Sequence, residues 1–171
     1  MRIFLIGFMG SGKRTIGYHL AKQLGWDFVD TDKVITAHTG LSIPEIFSLH
    51  GEEWFRKKEQ ELLNSLLSVS NMVIATGGGM PCFADNMDSM NRNGITVYLR
   101  LSPEVLTERL LHGHTERPLL QNKSPEELSR FVKESLKQRE YFYTKAKIIV
   151  DAENQLAENT ARLIREAINE I

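Results

Sequence analysis

Short, mostly apolar runs alternate along the chain with longer segments in which apolar residues recur every three or four positions. The short runs are typical of strands covered on both faces of a parallel sheet, and the longer segments are typical of amphipathic helices. Strands are predicted at the runs Arg2–Ile6, Trp26–Asp32, Met72–Thr76, Ile95–Leu101 and Lys147–Asp151. Helices are predicted at residues 16–24, 33–38, 42–49, 52–68, 83–92, 102–112, 124–144 and 156–168.

Two features mark helix boundaries in the first third of the chain. Ser42 and Glu45 have the spacing of a capping box, which predicts a helix start. Gly51 is expected to break that helix before a longer one begins.

Strands that alternate with helices imply right-handed crossovers, a parallel sheet and a three-layer α/β architecture. The 171 residues have the length of one domain, so a single domain over residues 1–171 is expected. In such folds ligands bind outside the carboxyl ends of the strands. Residues that directly follow the predicted strands are therefore the first candidates for a functional site.

The composition narrows the class of protein. A hydrophobic content of 42% and a net charge of -1 indicate an ordinary globular protein without the basic excess that favours nucleic acid. No apolar run approaches the roughly 20 residues that cross a membrane, and the chain begins with a predicted strand instead of a signal peptide. We therefore expect a cytoplasmic monomer, and the single Cys82 excludes an internal disulfide.

The segment Gly7–Thr15 has the spacing of a phosphate-binding loop between a strand and a helix. In such a loop, hereafter the phosphate loop, backbone N–H groups and the helix N-terminus bind phosphate, and Lys13 reaches the outer phosphates. Arg14 stands where the motif has a Ser or Thr hydroxyl for magnesium, and Thr15 brings a hydroxyl one residue late. The predicted nucleotide contacts are Gly10, Ser11, Gly12, Lys13, Arg14 and Thr15.

Two acidic residues follow the second predicted strand. Alternation along that strand would place Asp30 and Asp32 on one face. Asp32 can accept a proton from an attacking hydroxyl or orient it, and Asp30 can hold water on a magnesium ion. The alternative is that both carboxylates serve as helix caps or lie in a solvated turn.

Arg56 and Glu59 are three residues apart on the long predicted helix, at the margin of its apolar stripe. The pair is either a receptor for a substrate carboxylate, in which Glu59 orients Arg56, or an ordinary surface ion pair. The sequence does not distinguish these interpretations. Gly77–Gly79 follows a buried strand and indicates either a ligand pressed against the backbone or a simple chain reversal.

Two further arginines have a structural and a functional interpretation. Arg117 lies in residues 113–123, an aperiodic segment that we interpret as a lid, and could close over the phosphates. It could equally be a solvated loop residue. Arg139, late on its helix, is by default a surface charge.

Together these motifs resemble those of the shikimate kinases. The matching positions are Gly7–Thr15, Asp30-Thr31-Asp32, Gly51-Glu52, Phe55-Arg56 with Glu59, Gly77–Gly79, Arg117-Pro118-Leu119-Leu120, and Arg139 with Tyr143. The resemblance implies ATP- and Mg²⁺-dependent phosphorylation of the 3-hydroxyl of shikimate, a step toward chorismate and the aromatic amino acids. It also implies the five-stranded P-loop fold of the nucleoside monophosphate kinase-like group, with a substrate-binding subdomain at about 32–60 and a lid at about 113–123.

The resemblance also implies roles for individual residues. Shikimate contacts are expected from Asp32, Arg56, Gly78 and Arg139, with Arg117 as the lid arginine on ATP and Asp30 as the holder of magnesium-bound water. The chain departs from the family in residues 140–143, which keep the tyrosine but not the preceding Pro-Leu, and in residues 151–157, which lack the usual proline. Arg109 and Gln155 are the candidates that remain for adenine contacts.

Two other functions fit parts of the pattern. A kinase for another hydroxy acid, such as gluconate, would also need a phosphate loop, acids and an arginine. A nucleotide-binding module without catalysis is suggested by Arg14 in place of the metal-binding hydroxyl.

Overall fold

The computed structural model describes residues 1–113 and 122–171. In this part of the chain, strands and helices follow one another nearly as predicted. The strands are β1 (Arg2–Ile6), β2 (Asp27–Asp30), β3 (Met72–Ala75), β4 (Ile95–Arg100) and β5 (Ile148–Asp151). The helices are α1 (Lys13–Leu24), α2 (Thr31–Thr39), α3 (Ile43–Leu66), α4 (Asn86–Asn93), α5 (Pro103–His112), α6 (Pro125–Tyr143) and α7 (Ala157–Asn169).

The strands β1 to β5 form one parallel sheet in the order β2-β3-β1-β4-β5, which confirms the predicted fold class. The central strand β1 has no exposed surface at Ile3, Phe4, Leu5 or Ile6. Because successive strand residues point to opposite faces, burial of all four means that both faces of the sheet are covered. Because β2, β3 and β1 are parallel neighbours, the segments that follow them meet at the same edge of the sheet.

The boundary between β2 and α2 differs from the prediction. The strand ends at Asp30, and α2 begins at Thr31, so Asp30 and Asp32 do not share a strand face. The Asp30 Oδ1 atom accepts hydrogen bonds from the backbone N–H groups of Asp32 (3.1 Å) and Lys33 (3.3 Å). An aspartate that caps a helix in this way stops the strand before it, and this contact is the reason for the difference.

The predicted start and break of α3 are both confirmed. The Ser42 Oγ atom accepts from the Glu45 N–H group, and the Glu45 Oε2 atom accepts from the Ser42 N–H group at 2.7 Å. Gly51 has φ 82° and ψ 168°, which are not helical angles, so α3 consists of two segments that meet there.

The helix predicted at 83–92 begins later than expected. A short 3-10 helix, Met80–Cys82, comes first, and α4 starts only at Asn86. Ala84 interrupts the helical path between them with φ 47°, in the left-handed region.

A small apolar cluster of Ile35, Ile46 and Phe55 packs α2 against α3, apart from the main core, which includes the sheet. It lies within the segment predicted as a substrate-binding subdomain. Among the helices in the described part of the chain, none is both long enough and apolar enough to span a membrane.

Candidate active site

The phosphate loop connects β1 to the first turn of α1, as the sequence pattern predicts. Gly7 has φ 146°, and a Cβ atom there would lie 2.9 Å from the Leu99 carbonyl oxygen, so only glycine fits. The Lys13 Nζ atom donates to the carbonyl oxygens of Gly7 (2.7 Å) and Phe8 (2.8 Å). The lysine is therefore held at the loop, next to the helix N-terminus where phosphate binds.

The other residues predicted to bind the nucleotide do not all lie at the phosphate loop. Arg14 and Thr15 are exposed on the first turn of α1. Arg109 comes from α5, and its Nη1 atom donates to the Gly10 carbonyl oxygen at 3.4 Å. Gln155 is exposed beyond β5 and donates from Nε2 to the Asp151 carbonyl oxygen at 3.4 Å. The structure thus brings Arg109 to the phosphate loop and leaves Gln155 at the end of β5.

The triple glycine, Gly77–Gly79, follows β3 and is anchored at two points. The Gly77 N–H group donates to the Thr31 Oγ1 atom at 2.9 Å, and the Tyr143 hydroxyl donates to the Gly78 carbonyl oxygen at 2.6 Å. Both anchors are buried side chains from other elements. Thr31, which lies between the two predicted acids, was named in the sequence motif but given no role there, and the structure makes it an anchor of the triple glycine. Its place between those acids was the only available signal.

Charged side chains pack directly against this turn. A Cβ atom on Gly77 would overlap Glu59 Oε1 and lie 2.8 Å from Asp32 Oδ1, and a Cβ atom on Gly79 would overlap the Arg56 guanidinium. The glycines therefore leave room for side chains of the protein itself. We refer to Asp32, Arg56, Glu59 and Arg139 as the charged cluster.

Arg56 and Glu59 form the centre of the charged cluster. The Arg56 Nη1 atom lies 2.5 Å from Glu59 Oε2, and Nη2 lies 3.2 Å from Glu52 Oε1. Glu59 is fully buried, and the Arg56 side chain is 13% exposed. The interpretation as an ordinary surface ion pair is therefore excluded for Glu59.

Burial controls the ionisation of this pair. Burial raises the pKa of Glu59 to about 7, Arg56 opposes this by attraction and hydrogen bonding, and Asp32 adds to it by repulsion. Burial acts against the charged form of Arg56, but Glu59 and Glu52 outweigh it and raise the arginine pKa. Within the described residues, Glu59 Oε1 has no hydrogen-bond partner. The cluster thus holds a buried carboxyl group that binds a proton more readily than an exposed glutamate does.

Arg139 joins the charged cluster to the phosphate loop, although its default interpretation was a surface charge. Its guanidinium lies 5.2 Å from the centre of the Phe8 ring, within the range of a cation–π contact. A Cβ atom on Gly78 would lie 3.3 Å from Arg139 Nη1 and 3.4 Å from the Gly7 carbonyl oxygen. The triple glycine therefore touches the phosphate loop on one side and the cluster on the other.

Arg117 and most of the predicted lid lie outside the described residues. The implied magnesium ion can be tested against the carboxylates at the phosphate loop. Asp30 and Asp32 are the carboxylates that could supply oxygen ligands, while the described residues contain no group of three or more acidic, His or Cys side chains able to hold a metal. This donor set fits an ion that keeps most of its ligands as water and phosphate oxygens.

Sequence and structure comparisons agree on one family. A sequence model described as "Shikimate kinase" matches residues 9–169. A shikimate kinase of Parabacteroides distasonis is 46% identical over 171 residues, which cover 99% of this chain and 98% of the relative.

Two solved structures have the same fold over nearly the whole chain. The shikimate kinase structure from Bacteroides thetaiotaomicron has a TM-score of 0.94 at 39% identity and covers 99% of this chain and 98% of its own. The Acinetobacter baumannii shikimate kinase, solved in complex with shikimate, has a TM-score of 0.89 at 38% identity. The match covers 99% of this chain and 93% of that structure's chain.

Proposed function

The chain belongs to the shikimate kinase family, and we propose how its own residues divide the work of that reaction. The reaction is ATP-dependent phosphorylation of the 3-hydroxyl of shikimate, which yields shikimate 3-phosphate. One observation carries the assignment of residues: the charged cluster lies against the phosphate loop, with the triple glycine between them. A phosphoryl donor and an anionic acceptor bound at these two places would be neighbours.

The acceptor carboxylate is assigned to the two arginines of the charged cluster. Arg56 is held by Glu59 on one edge of its guanidinium, and Arg139 is held over the Phe8 ring. Planar guanidinium groups with fixed orientation bind carboxylates through paired, charge-assisted hydrogen bonds. We assign Glu59 the role of orienting Arg56, and the triple glycine the role of a floor for the acceptor ring.

Asp32 is assigned as the residue that orients the acceptor hydroxyl and accepts its proton. It stands in the first turn of α2, and its Oδ1 atom faces Gly77. A carboxylate beside the triple glycine, which itself touches the phosphate loop, matches the position that phosphoryl transfer requires of a general base.

Lys13 and the loop residues Gly10, Ser11 and Gly12 are assigned to the nucleotide phosphates. Transfer of the phosphoryl group moves negative charge toward the leaving oxygen, and a cation fixed there stabilises the transition state. We assign Arg14, Thr15 and Arg109 to the nucleotide side of the site. The predicted roles of Gln155 at the adenine and of Arg117 at the phosphates remain predictions.

Magnesium is part of this proposal. Asp30 and Asp32 would hold the ion through water, and when bound it neutralises charge on the phosphates. We propose that the protein acts as a monomer. We also propose a cytoplasmic protein that acts on two small molecules, without a nucleic-acid or membrane partner. Residues 32–60 would form the substrate-binding subdomain.

An assay of acceptor dependence tests the function. ADP release is measured by a coupled assay with ATP and shikimate, with ATP and gluconate, and with ATP alone. Rapid release with shikimate and the same low rate in the other two mixtures are expected, because gluconate lacks the ring that fits between the arginines and the triple glycine. Faster release with gluconate would favour the hydroxy-acid alternative. If the protein binds ADP but forms no ADP from ATP in any mixture, a nucleotide-binding module without catalysis would be favoured.

A further inference from the structure

Arg14 replaces the hydroxyl that phosphate loops of this type present to magnesium. It occupies the first turn of α1, directly after Lys13, and that turn contains no acidic residue. Two adjacent cations at the positive end of a helix dipole are unfavourable unless negative charge lies close to them. The sequence therefore places at this point a charge that needs an anionic partner.

The structure provides one such partner in Asp30. The Arg14 Nε atom lies 3.7 Å from Asp30 Oδ2, while the other oxygen of this carboxylate, Oδ1, caps α2. The Asp30 oxygen proposed to hold magnesium-bound water thus already faces a cation belonging to the protein. With 64% of its side chain exposed, Arg14 is not fixed there by packing. It can turn toward the phosphate loop, where Lys13 and the helix N-terminus attract phosphate.

We propose that Arg14 is a nucleotide-binding cation that takes over part of the role of the metal ion. In the free protein its guanidinium lies beside Asp30, and in the complex it contacts the nucleotide phosphates. Nucleotide binding then depends less on Mg²⁺ than it would with a hydroxyl at this position. This inference rests on the proposed function, because it assumes that the phosphate loop binds a nucleotide.

Binding of ADP, measured by titration calorimetry in Mg²⁺ and in EDTA, tests the inference without any need for turnover. Arg14→Thr restores the hydroxyl and removes the charge, and Arg14→Met removes the charge but keeps a long side chain. Lys22→Thr is the matched control, because Lys22 is an exposed cation in the last turn of the same helix. Thermal unfolding without nucleotide verifies that each variant is folded.

The measured quantity is the ratio of the Kd in EDTA to the Kd in Mg²⁺. We expect this ratio to be about tenfold larger in Arg14→Thr than in the wild type, which corresponds to the loss of one charge-assisted hydrogen bond to phosphate. Arg14→Met should weaken binding in EDTA without improving it in Mg²⁺, and Lys22→Thr should match the wild type. Equal ratios in the wild type and Arg14→Thr would overturn the inference alone. Absence of ADP binding by the wild-type protein in both conditions would overturn the proposed function and the inference together.

Discussion

Two glycine-rich turns follow the neighbouring strands β1 and β3, and their glycines meet different requirements. In the phosphate loop, Gly7, Gly10 and Gly12 have φ values of 146°, 83° and 88°, which side-chain-bearing residues rarely adopt. In the triple glycine, Gly79 has an ordinary φ of -90°. A side chain at that position would instead displace the Arg56 guanidinium, which occupies the space beside Gly79.

This difference separates two ways of building a binding site. The phosphate loop presents its own backbone to a ligand, so one short continuous segment nearly suffices to define it. The triple glycine supports side chains that arrive from α2, α3 and α6, so that half of the site exists only when the chain is folded. Variants should therefore divide into those that damage nucleotide chemistry and those that damage acceptor binding.

Lys13→Ala should have the largest effect of these variants, and it should separate nucleotide chemistry from acceptor binding most clearly. Removal of the cation at the transferring phosphate is expected to lower kcat by about 10³-fold, since it acts mainly in the transition state. The Kd of shikimate should change less than twofold, because the Gly7 and Phe8 carbonyl oxygens hold Lys13 at the phosphate loop. Steady-state kinetics and shikimate titration measure the two quantities. Near-normal turnover in a folded variant would contradict the assignment.

Asp32→Asn should lower kcat by about 10²-fold with little change in either Kd. Asparagine keeps the shape of the side chain but cannot accept the proton of the acceptor hydroxyl. Single-turnover kinetics at saturating ATP and shikimate separate this loss from any change in binding. A wild-type rate would leave Asp32 with a purely structural role.

Arg56→Ala should raise the Kd of shikimate by about 10²-fold and leave ADP binding unchanged. It should also destabilise the fold, because without its cation the buried Glu59 must take up a proton to remain buried. Trp54, two residues away, provides a fluorescence signal for shikimate binding. Arg139→Ala is the paired variant: it should weaken shikimate binding similarly with a smaller loss of stability, since Arg139 is only half-buried. Unchanged affinity in both variants would contradict the carboxylate assignment.

Glu59→Gln should change how stability depends on pH. A carboxyl group with a raised pKa binds its proton more tightly in the folded state, so its contribution to stability is complete below about pH 4.5 and declines as pH rises toward about 7. Between pH 5 and 8, the free energy of unfolding should therefore fall in the wild type relative to Glu59→Gln, on the order of 2 kcal/mol. Urea unfolding at both pH values measures the difference. An equal offset at pH 5 and pH 8 would show that Glu59 does not titrate in this range.

Gly79→Ala should have the smallest effect, and it tests the comparison directly. Alanine accepts the backbone angles of Gly79 but displaces the Arg56 guanidinium, so the KM for shikimate should rise about tenfold while ADP binding is retained. Gly7→Ala should instead weaken ADP binding and leave the KM for shikimate nearly unchanged, because its Cβ atom meets the Leu99 carbonyl oxygen and distorts the phosphate loop. If both variants lose ADP binding and shikimate affinity to the same extent, the two turns do not have separate functions.

The contiguous parts of the molecule were predictable from sequence for a physical reason. A strand buried on both faces must be apolar, and a phosphate loop needs glycines at fixed spacing, so both leave local patterns. The end of β2 was only partly predictable: a helix cap was one of the interpretations given for Asp30, but the choice between strand and cap depends on the N–H groups that follow it. The local sequence around Asp30 is compatible with either conformation.

The charged cluster was only partly predictable. The spacing of Arg56 and Glu59 indicates a pair, but whether that pair is buried depends on the triple glycine, which comes later in the chain and closes over it. Arg139 is polar at a helix position that gives no sign of burial, and its contact with Phe8 arises only from packing. Interactions between distant segments leave no periodic signal in either segment.

Helix α6 begins at Pro125 and ends at Tyr143, whose hydroxyl holds Gly78. Its 19 residues form an unbroken helix. At the usual helical rise this is a stiff rod about 28 Å long. Arg139 and Tyr143 both lie on the last turns of this rod. The floor and one wall of the proposed acceptor site therefore belong to one rigid element, and any displacement of α6 would move both together.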